Sequence, residues 1–494
     1  MAQILFGVHI LIHFFGLARF YLGTEPEGAT QDMTNEFELG MWAYMDFREQ
    51  PLGSEDMKRF VDWSEKVGVQ KVLMNVRTDL FADYPNSKML PTTAKFRNWN
   101  ALGEATKRLH DLGKEVHAMI VVAPWLRLGW TPRSRGQVDF RPKPALLDNP
   151  DWLPTDRYGI REDKAPFFGS QLDVDIGKPE VRQFIADHAE DILTANPELD
   201  GIHLDFIRFR YWKSSITMDI RSGADFGRLI DKGDIFYVTK EVTGLTGQAA
   251  IKLAYHLKDN DRTKYAPYDG TKAVLEREFA YCFCDSCLGR FQAEMSVEIP
   301  KALHSTREKA DWILGTQSDK WYSWRASQVT EQVKLIKKRM RDLSSRYKLS
   351  AATFGRFPPH GIVTNDVPPK HDDYDSVLRD LGQDWISWAN EGLLDFAEPM
   401  LYWTSPKDLG AITGNLMNRM KNRSFPIYPG VLVSNEYVVE ANQVPEYAKS
   451  AMQAGGSGIT LFPYAGWCAS HRKAWGLPEI RDYDDALTGL RGTE

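Results

Sequence analysis

An acidic residue at the end of a buried run is the first feature of this sequence that could do chemistry. Residues 200–208 read Asp-Gly-Ile-His-Leu-Asp-Phe-Ile-Arg and are typical of a β-strand. Side chains alternate along a strand, so His203 and Asp205 share one face while Leu204 lies on the other. A carboxylate on the inner face near the strand's C-terminal end must be paired, protonated or engaged in chemistry, because an unpaired buried charge is costly.

Two interpretations of Asp205 are open at this point. The carboxylate is either catalytic or one half of a buried ion pair with Arg208, Arg210 or Arg77. Glycoside hydrolysis usually uses two carboxyl groups, about 5 Å apart for retention of configuration and about 6.5–9.5 Å apart for inversion. The catalytic interpretation therefore needs a second carboxylate.

Three acidic residues are candidates for this second carboxylate. Glu398 shares a face of a predicted strand with Tyr402, but it lies four residues earlier, which is about 13 Å deeper along the strand. Glu436 follows the next predicted strand, where catalytic residues of barrel enzymes commonly lie. Asp366, after the predicted fifth strand, is the third candidate.

Aromatic and basic side chains near the same predicted strand ends suit a carbohydrate ligand. Tryptophan offers a large rigid face for stacking, and the chain contains 15 of them. The candidate stacking residues are Trp125, Trp403, Trp467 and Tyr402. The candidate polar residues for substrate binding are Arg77, His203 and Arg208. A basic group formed by Arg208, Arg210 and Lys213, with Arg356 and His360, could hold sulfate or carboxylate on an anionic polysaccharide. The alternative role of the aromatic residues is core packing, and the alternative role of the basic residues is ordinary ion pairing with nearby acids.

Cys282, Cys284 and Cys287 form a C-x-C-x-x-C cluster. Three thiolates at this spacing can bind zinc, but a closed structural zinc site needs four ligands. Cys468 or His256 would then supply the fourth. A disulfide between Cys468 and one member of the cluster is an alternative, and free thiols are another. No cofactor is expected for catalysis itself.

The rest of the chain alternates short β-branched or aromatic runs with amphipathic stretches, as repeated βα units do. Strands are predicted at residues 38–47, 69–77, 114–125, 199–208, 349–355, 395–403, 426–434 and 458–464. Helices are predicted at residues 57–66, 99–112, 179–195, 328–347 and 444–454. This pattern predicts an α/β fold, a closed (β/α)₈ TIM barrel with its active site at the C-terminal ends of the strands. An open doubly wound sheet is the alternative, although no glycine-rich phosphate loop follows the first strand.

The barrel is predicted to occupy residues 38–475. Residues 211–328, between the fourth and fifth strands, are too long for a structureless loop and are expected to fold as a cap subdomain. Residues 1–18 predict a signal peptide, because their apolar run is too short for a membrane span and ends in small residues. A buried N-terminal strand or helix is the alternative there. Residues 476–494 are expected to be a C-terminal tail.

Composition excludes several classes of protein. The 494 residues include 61 Lys and Arg against 67 Asp and Glu, giving a net charge of −6, which argues against a nucleic-acid partner. Hydrophobic residues make up 43% and charged residues 26%, so the chain is not disordered throughout. Four cysteines are too few for a disulfide scaffold. No segment after the N-terminal run is long and apolar enough for a stable membrane span.

Several segments, in order along the chain, resemble the glycosyl-hydrolase-like 10 family of barrel proteins. They are residues 76–77 with 84–88, then 148–153, 172–182, 200–208, 383–385 and 399–402. The resemblance implies a barrel that hydrolyses a glycan, without naming the sugar. Residues 200–208 also resemble the Asp-Gly-x-Asp-x-Asp-x-Glu strand of chitinase-type glycosidases. Ile207 stands where their catalytic acid would be, so their substrate-assisted mechanism is not implied.

Together these features predict an exported glycoside hydrolase that acts on a carbohydrate polymer. Asp205 would be the nucleophile or the acid/base, with Glu398 or Glu436 as its counterpart. A non-catalytic carbohydrate-binding barrel is the first alternative. A lyase or deacetylase acting on an anionic polysaccharide is the second.

Overall fold

The computed structural model describes residues 37–44, 54–127, 142–157, 159, 161–162, 171–209, 281–356, 373–402, 404–433 and 443–462, with the backbone of four strands between residues 213 and 278. Eight strands form its centre. They are β1 (Glu38–Tyr44), β2 (Val69–Asn75), β3 (Glu115–Val121), β4 (Gly201–Asp205), β5 (Lys348–Thr353), β6 (Phe396–Pro399), β7 (Gly430–Leu432) and β8 (Gly458–Phe462). Each lies within a predicted strand or begins one residue before it.

These strands form one closed parallel barrel. Their order in the sheet is β6, β5, β4, β3, β2, β1, β8 and β7, and the neighbours pair in parallel. The two ends of this row also meet, because Ala397 pairs with Ile427 and Met400 pairs with Gly430, again in parallel. An open doubly wound sheet would have two free edges, so this closure excludes it. The predicted (β/α)₈ barrel is confirmed.

Helices alternate with the strands along the chain. Their bounds are α1 (Ser54–Val67), α2 (Ala101–His110), α3 (Pro179–Ala195), α4 (Asp285–Met295), α5 (Thr306–Thr316), α6 (Ser318–Leu343), α7 (Trp385–Asn390), α8 (Pro406–Arg419) and α9 (Val444–Gln453). Proline in the first turn of α3, α8 and α9 suits a helix start, because no hydrogen bond is lost there. Among the described residues, no helix combines the length and apolar character needed to cross a bilayer.

Inward-facing side chains fill the interior of the barrel. One buried cluster joins Trp42, Leu73, Met119, Ala352, Phe396 and Tyr428, which come from β1, β2, β3, β5, β6 and the segment before β7. On β4, the outward-facing Ile202 and Leu204 are also completely buried. Burial on both faces is what a parallel strand covered by helices requires.

Ion pairs occupy the N-terminal end of the barrel. Lys71 Nζ lies 2.6 Å from Glu38 Oε2 and 3.8 Å from Glu115 Oε2. Lys348, the first residue of β5, pairs with Glu115 as well. Although burial opposes it, hydrogen bonds from His117 and Lys348 lower the pKa of the Glu115 carboxyl. Lys71, the buried charge of this group, is therefore paired with glutamates on both neighbouring strands.

The long segment between β4 and α4 includes an antiparallel sheet of four strands. They are Lys213–Asp219, Phe226–Asp231, Asp234–Thr239 and Lys272–Glu278, in the order third, second, first, fourth. The expected cap, residues 211–328, thus contains a sheet as well as α4, α5 and the first turns of α6, which begins at Ser318 rather than residue 328.

The two ends of this segment meet beside α6. Phe209, just after β4, has its ring centroid 6.0 Å from that of Tyr281, where the described chain resumes. The guanidinium of Arg325 on α6 lies 4.4 Å from the Phe209 ring centroid, and its Nε donates a 2.8 Å hydrogen bond to Tyr281 O. Both ends are therefore fastened to one helical residue.

Several predicted features lie outside the described residues. They are the signal peptide at residues 1–18, the C-terminal tail at residues 476–494, and Arg210, His256, His360, Asp366, Trp403, Glu436, Trp467 and Cys468.

Replacement of Gly201 by alanine is expected to destabilise the barrel by about 3 kcal/mol. An ideal Cβ at this position would lie 1.9 Å from Lys348 O, a backbone atom of the paired strand β5. Urea unfolding followed by circular dichroism measures the change. Gly289→Ala is the matched control, because nothing lies within 4 Å of its new methyl group on α4. Equal midpoints for Gly201→Ala and the unmodified protein would contradict the β4–β5 register.

Candidate active site

Asp205 is the last residue of β4, at the C-terminal mouth of the barrel, and it is 7% exposed. Its Oδ1 accepts a 2.7 Å hydrogen bond from Phe206 N. Its carbonyl oxygen accepts another from Val122 N at 2.8 Å. Phe206 has a φ of +53°, a left-handed conformation that is uncommon for a residue with a side chain. The backbone therefore turns sharply at Phe206, immediately after Asp205, so the carboxylate lies at the end of β4.

His203 lies two residues earlier on the same face of β4 and is completely buried. Trp42 Nε1 donates a 3.0 Å hydrogen bond to His203 Nε2. Because Nε2 accepts this bond, the proton of the neutral ring is on Nδ1, which donates to Ser350 Oγ at 2.9 Å. Burial lowers the pKa of His203 well below its usual value, which keeps the ring neutral. The predicted substrate-binding residue thus has both ring nitrogens engaged inside the barrel.

Glu398 lies inside the barrel on β6 and has no exposed surface. Its Oε1 accepts a 3.0 Å hydrogen bond from Thr460 Oγ1. Its Oε2 lies 3.7 Å from His203 Nε2 and has no hydrogen-bond partner among the described residues. Burial raises the pKa of this carboxyl to about 8, so it is mostly protonated at neutral pH.

The register places Asp205 and Glu398 on the two strands that flank β5. Ala352 of β5 pairs with Glu398, and the preceding residue, Ala351, pairs with Leu204. Two strand spacings therefore separate the Cα atoms of Asp205 and Glu398, which is about 10 Å.

An aromatic cluster accompanies these carboxyl groups. The ring of Tyr402 stacks on that of Phe462 with centroids 5.6 Å apart, and both contact Trp42 edge-on, at 6.4 and 6.0 Å. Trp42 is buried, whereas Tyr402 and Phe462 are partly exposed. Gly430 makes room for the indole, since an added Cβ would lie 2.8 Å from Trp42 Cη2. Tyr402 and Phe462 can thus offer a surface to a sugar ring.

The two predicted arginines make mainly structural contacts. Arg77 Nη2 donates to the carbonyl oxygens of Val121 at 2.5 Å and Pro124 at 2.7 Å, which ties the end of β2 to the end of β3. Burial lowers the pKa of Arg77 to about 10. The guanidinium of Arg208 is buried, 4.2 Å from the ring centroid of Phe206.

Trp125 does not lie where a sugar could stack on it. Its ring is 1% exposed and packs against Phe184 and His188 of α3, with centroids 4.9 and 5.3 Å away. Its Nε1 donates a 2.7 Å hydrogen bond to Val122 O. The predicted strand runs to residue 125, but β3 ends at Val121, and Trp125 belongs to a separate short strand, Pro124–Arg127, which pairs with Gln171–Asp173. The alternation of β3 therefore does not extend to Trp125, and its ring packs against α3.

Phe462 and Thr460 belong to the site but were not singled out from the sequence. Both lie on β8, where alternation puts them on one face with Gly458. The alternation along β8 was the sequence signal that could have identified these two residues. The signal was weak, because Thr and Phe are common in any strand. Glu436, Trp403 and Trp467 lie outside the described residues, so their predicted roles remain predictions.

The cysteine cluster is distant from Asp205 in the sequence. In the structure, the carboxylate of Asp175 lies beside the three cysteines. Cys282, Cys284, Cys287 and Asp175 have one potential ligand atom each, all within 4.8 Å of one another. The three cysteines form no disulfide with one another. The sequence suggested Cys468 or His256 as a fourth ligand, and both lie outside the described residues; among the described residues, Asp175 lies beside the three cysteines.

No protein-family model matches the sequence, and no curated protein matches it. The glycosyl-hydrolase-like 10 family is therefore not confirmed. Among solved structures, the chain is similar to the PgaB (BpsB) glycoside hydrolase domain from Bordetella bronchiseptica, with a TM-score of 0.54 and 10% identity over 92% of this chain and 99% of that one. It also aligns with a β-galactosidase from Marinomonas ef1, with a TM-score of 0.48 and 13% identity, over 92% of this chain and 59% of that one. The first similarity agrees with the strand order. The chain shares the (β/α)₈ barrel fold of that glycoside hydrolase domain.

Replacement of Glu398 by glutamine is expected to stabilise the protein only at high pH. The pKa of about 8 lies above the ordinary 4.5, so the folded state keeps a proton that the unfolded chain releases. This contribution to stability is fully present below the ordinary pKa and is lost as pH rises through about 8. Glutamine has the same shape and cannot ionise. The variant should match the unmodified protein near pH 4.5 and exceed its stability near pH 9, by on the order of 3–5 kcal/mol.

Urea unfolding at a series of pH values measures this difference. Glu391→Gln, at an exposed glutamate after α7, is the control and should show no such pH dependence. A constant difference between Glu398→Gln and the unmodified protein across the range would show that Glu398 does not titrate in this interval.

Proposed function

We propose that this protein is a glycoside hydrolase in which Asp205 is a catalytic carboxylate. The observation that carries the proposal is the position of Asp205. It is a carboxylate on the inner face of β4, at the last residue of a parallel barrel strand. Catalytic residues of (β/α)₈ enzymes lie at the C-terminal ends of the strands. The fold shared with a glycoside hydrolase domain supports the same interpretation.

The chemistry requires a second carboxyl group in a different protonation state. One carboxylic acid protonates the leaving oxygen of the glycosidic bond, while a carboxylate attacks the anomeric carbon or takes a proton from the attacking water. Glu398 is protonated at neutral pH, as a general acid must be, and β5 alone separates its strand from that of Asp205. The complete burial of Glu398 argues against this role and favours Glu436 as the second carboxyl group. Glu436 follows β7 by four residues along the chain.

A carbohydrate polymer is the substrate class that we propose. Tyr402 and Phe462 supply partly exposed aromatic rings, which suit the apolar faces of sugar rings. Among the described residues, Arg77 is engaged by backbone carbonyl groups and Arg208 lies against aromatic rings. Neutral and anionic polymers are therefore both to be tested.

The decisive experiment incubates the full chain with a panel of neutral and anionic polysaccharides and measures new reducing ends. A hydrolase produces reducing ends without unsaturated products. A lyase would release unsaturated ends, and a deacetylase would release acetate with the chain length unchanged. A carbohydrate-binding protein would bind a polymer of the panel and leave it intact. Any of these last three results would overturn the proposal.

Replacement of Asp205 by asparagine is expected to lower turnover at least about 100-fold, because the amide can neither transfer the proton nor attack the sugar. Reducing-end release under saturating substrate measures turnover, and urea unfolding checks folding. Asp342→Asn, at an exposed acid near the end of α6, is the matched control and should leave turnover unchanged. A folded Asp205→Asn protein with full turnover would exclude Asp205. A protein that does not fold would instead favour the buried ion pair.

Parallel replacement of Glu398 and Glu436 by glutamine is expected to identify the counterpart. Loss of the general acid slows hydrolysis most for substrates with poor leaving groups, because they depend on protonation. Turnover of an activated aryl glycoside and of the polymer measures this dependence. If Asp205 is the nucleophile, the counterpart is the residue whose replacement harms polymer hydrolysis far more than aryl glycoside hydrolysis. If Asp205 is the acid, Asp205→Asn shows that pattern, and the counterpart is the residue whose replacement abolishes hydrolysis of both substrates.

A further inference from the structure

Four potential metal ligands from two distant parts of the chain meet beside α3. Asp175 lies in the loop that leads into α3, and Cys282, Cys284 and Cys287 lie at the start of α4. Cys287 Sγ is 3.1 Å from Asp175 Oδ2, although 112 residues separate the two. Asp175, Cys282 and Cys287 are buried, and Cys284 is partly exposed.

We propose that Asp175, Cys282, Cys284 and Cys287 form a closed structural zinc site. Zinc prefers four tetrahedral ligands, and thiolate sulfur and carboxylate oxygen are both among those it accepts. In such a site, ligand atoms are about 3.5–3.8 Å apart, given metal distances of about 2.3 Å to sulfur and 2.0 Å to oxygen. The four atoms here all lie within 4.8 Å of one another, so shifts of about 1 Å would complete the tetrahedron.

Backbone groups already orient the proposed ligands. Thr155 N donates a 3.2 Å hydrogen bond to Cys282 Sγ, and Cys287 N donates one of 3.5 Å to Cys284 Sγ. Gly177 N donates to Asp175 Oδ1 at 2.9 Å, which leaves Oδ2 directed at the thiols. Hydrogen bonds of this kind fix the ligands of a metal and hold their negative charge.

Gly177 allows Asp175 and Cys287 to approach each other closely. A Cβ added to Gly177 would lie 2.8 Å from Asp175 Oδ1 and 3.3 Å from Cys287 Sγ. Three thiolates buried this close to a carboxylate would repel one another and the carboxylate, and a divalent cation between them would remove this cost. Lys178 is the nearby charge that competes with this explanation, because it interacts with Asp175 and with all three cysteines.

The proposed zinc would fasten the end of the insertion to the barrel. The chain returns from the insertion at Tyr281 and passes directly into the cysteines. Phe283 N donates to Thr155 O at 2.9 Å, and Arg290 Nη2 on α4 donates to Gln328 Oε1 of α6 at 2.6 Å. The metal would cross-link the three cysteines at the start of α4 to Asp175 in the loop before α3.

The test measures zinc in the full chain, purified under reducing conditions with zinc in the medium. We expect about one zinc per chain for the unmodified protein. Asp175→Asn and Cys284→Ser should each lower bound zinc at least about tenfold after dialysis. Asp151→Asn, at an exposed acid of the same connection, and Cys468→Ser are the controls and should keep full occupancy. Loss of zinc in Cys468→Ser with retention in Asp175→Asn would overturn the assignment of the fourth ligand.

A second measurement on the unmodified protein does not depend on a variant that folds. Chelation should speed proteolysis between residues 280 and 300, and zinc alone should restore the original rate. Cobalt substitution should produce the intense thiolate charge-transfer absorption of a tetrahedral site. Absence of stoichiometric zinc, together with three freely reactive thiols or with a disulfide within the cluster, would overturn the proposal and would leave Lys178 as the partner of Asp175. Neither result bears on the glycosidase proposal, which depends on Asp205.

Discussion

The hydrogen bond from Trp42 Nε1 to His203 Nε2 joins β1 to β4, two strands that are not neighbours in the sheet. It holds a large ring across the barrel interior, and Tyr402 and Phe462 pack against that ring. It also decides which histidine nitrogen carries the proton, and therefore lets Ser350 accept a hydrogen bond from Nδ1. A glycine at position 430 is what permits the ring to lie there.

Electrostatics differ between the two ends of the barrel. At the N-terminal end, lysines and glutamates neutralise one another directly. In the interior, burial keeps His203 uncharged and raises the pKa of Glu398 to about 8, so both groups are predominantly neutral at pH 7. Asp205 lies beyond this neutral layer, at the mouth. A charge placed there borders an interior of low polarity, which screens it less than water would.

The barrel could be predicted from the sequence because buried parallel strands are continuous apolar runs, and eight of them alternate with amphipathic helices. The inward position of Asp205 followed from alternation within 201–205. Trp125 was misplaced because alternation ends with β3 at Val121, and sequence patterns do not mark that point. Asp175 could not be linked to the cysteines, since a contact over 112 residues depends on how α3 and α4 pack rather than on local pattern.

The contact between Phe209 and Tyr281 means that the chain leaves and re-enters the barrel domain at nearly one place. Because the two attachment points are adjacent, the segment bridges a single short distance on the barrel, whatever its length, and the entropic cost of closing a flexible loop grows only with the logarithm of its length. Descendants of an ancestral barrel could therefore gain, lose or exchange this segment without rebuilding the eight strands. Because Phe209 follows Asp205 by only four residues, such an exchange would begin close to the strand end that carries Asp205.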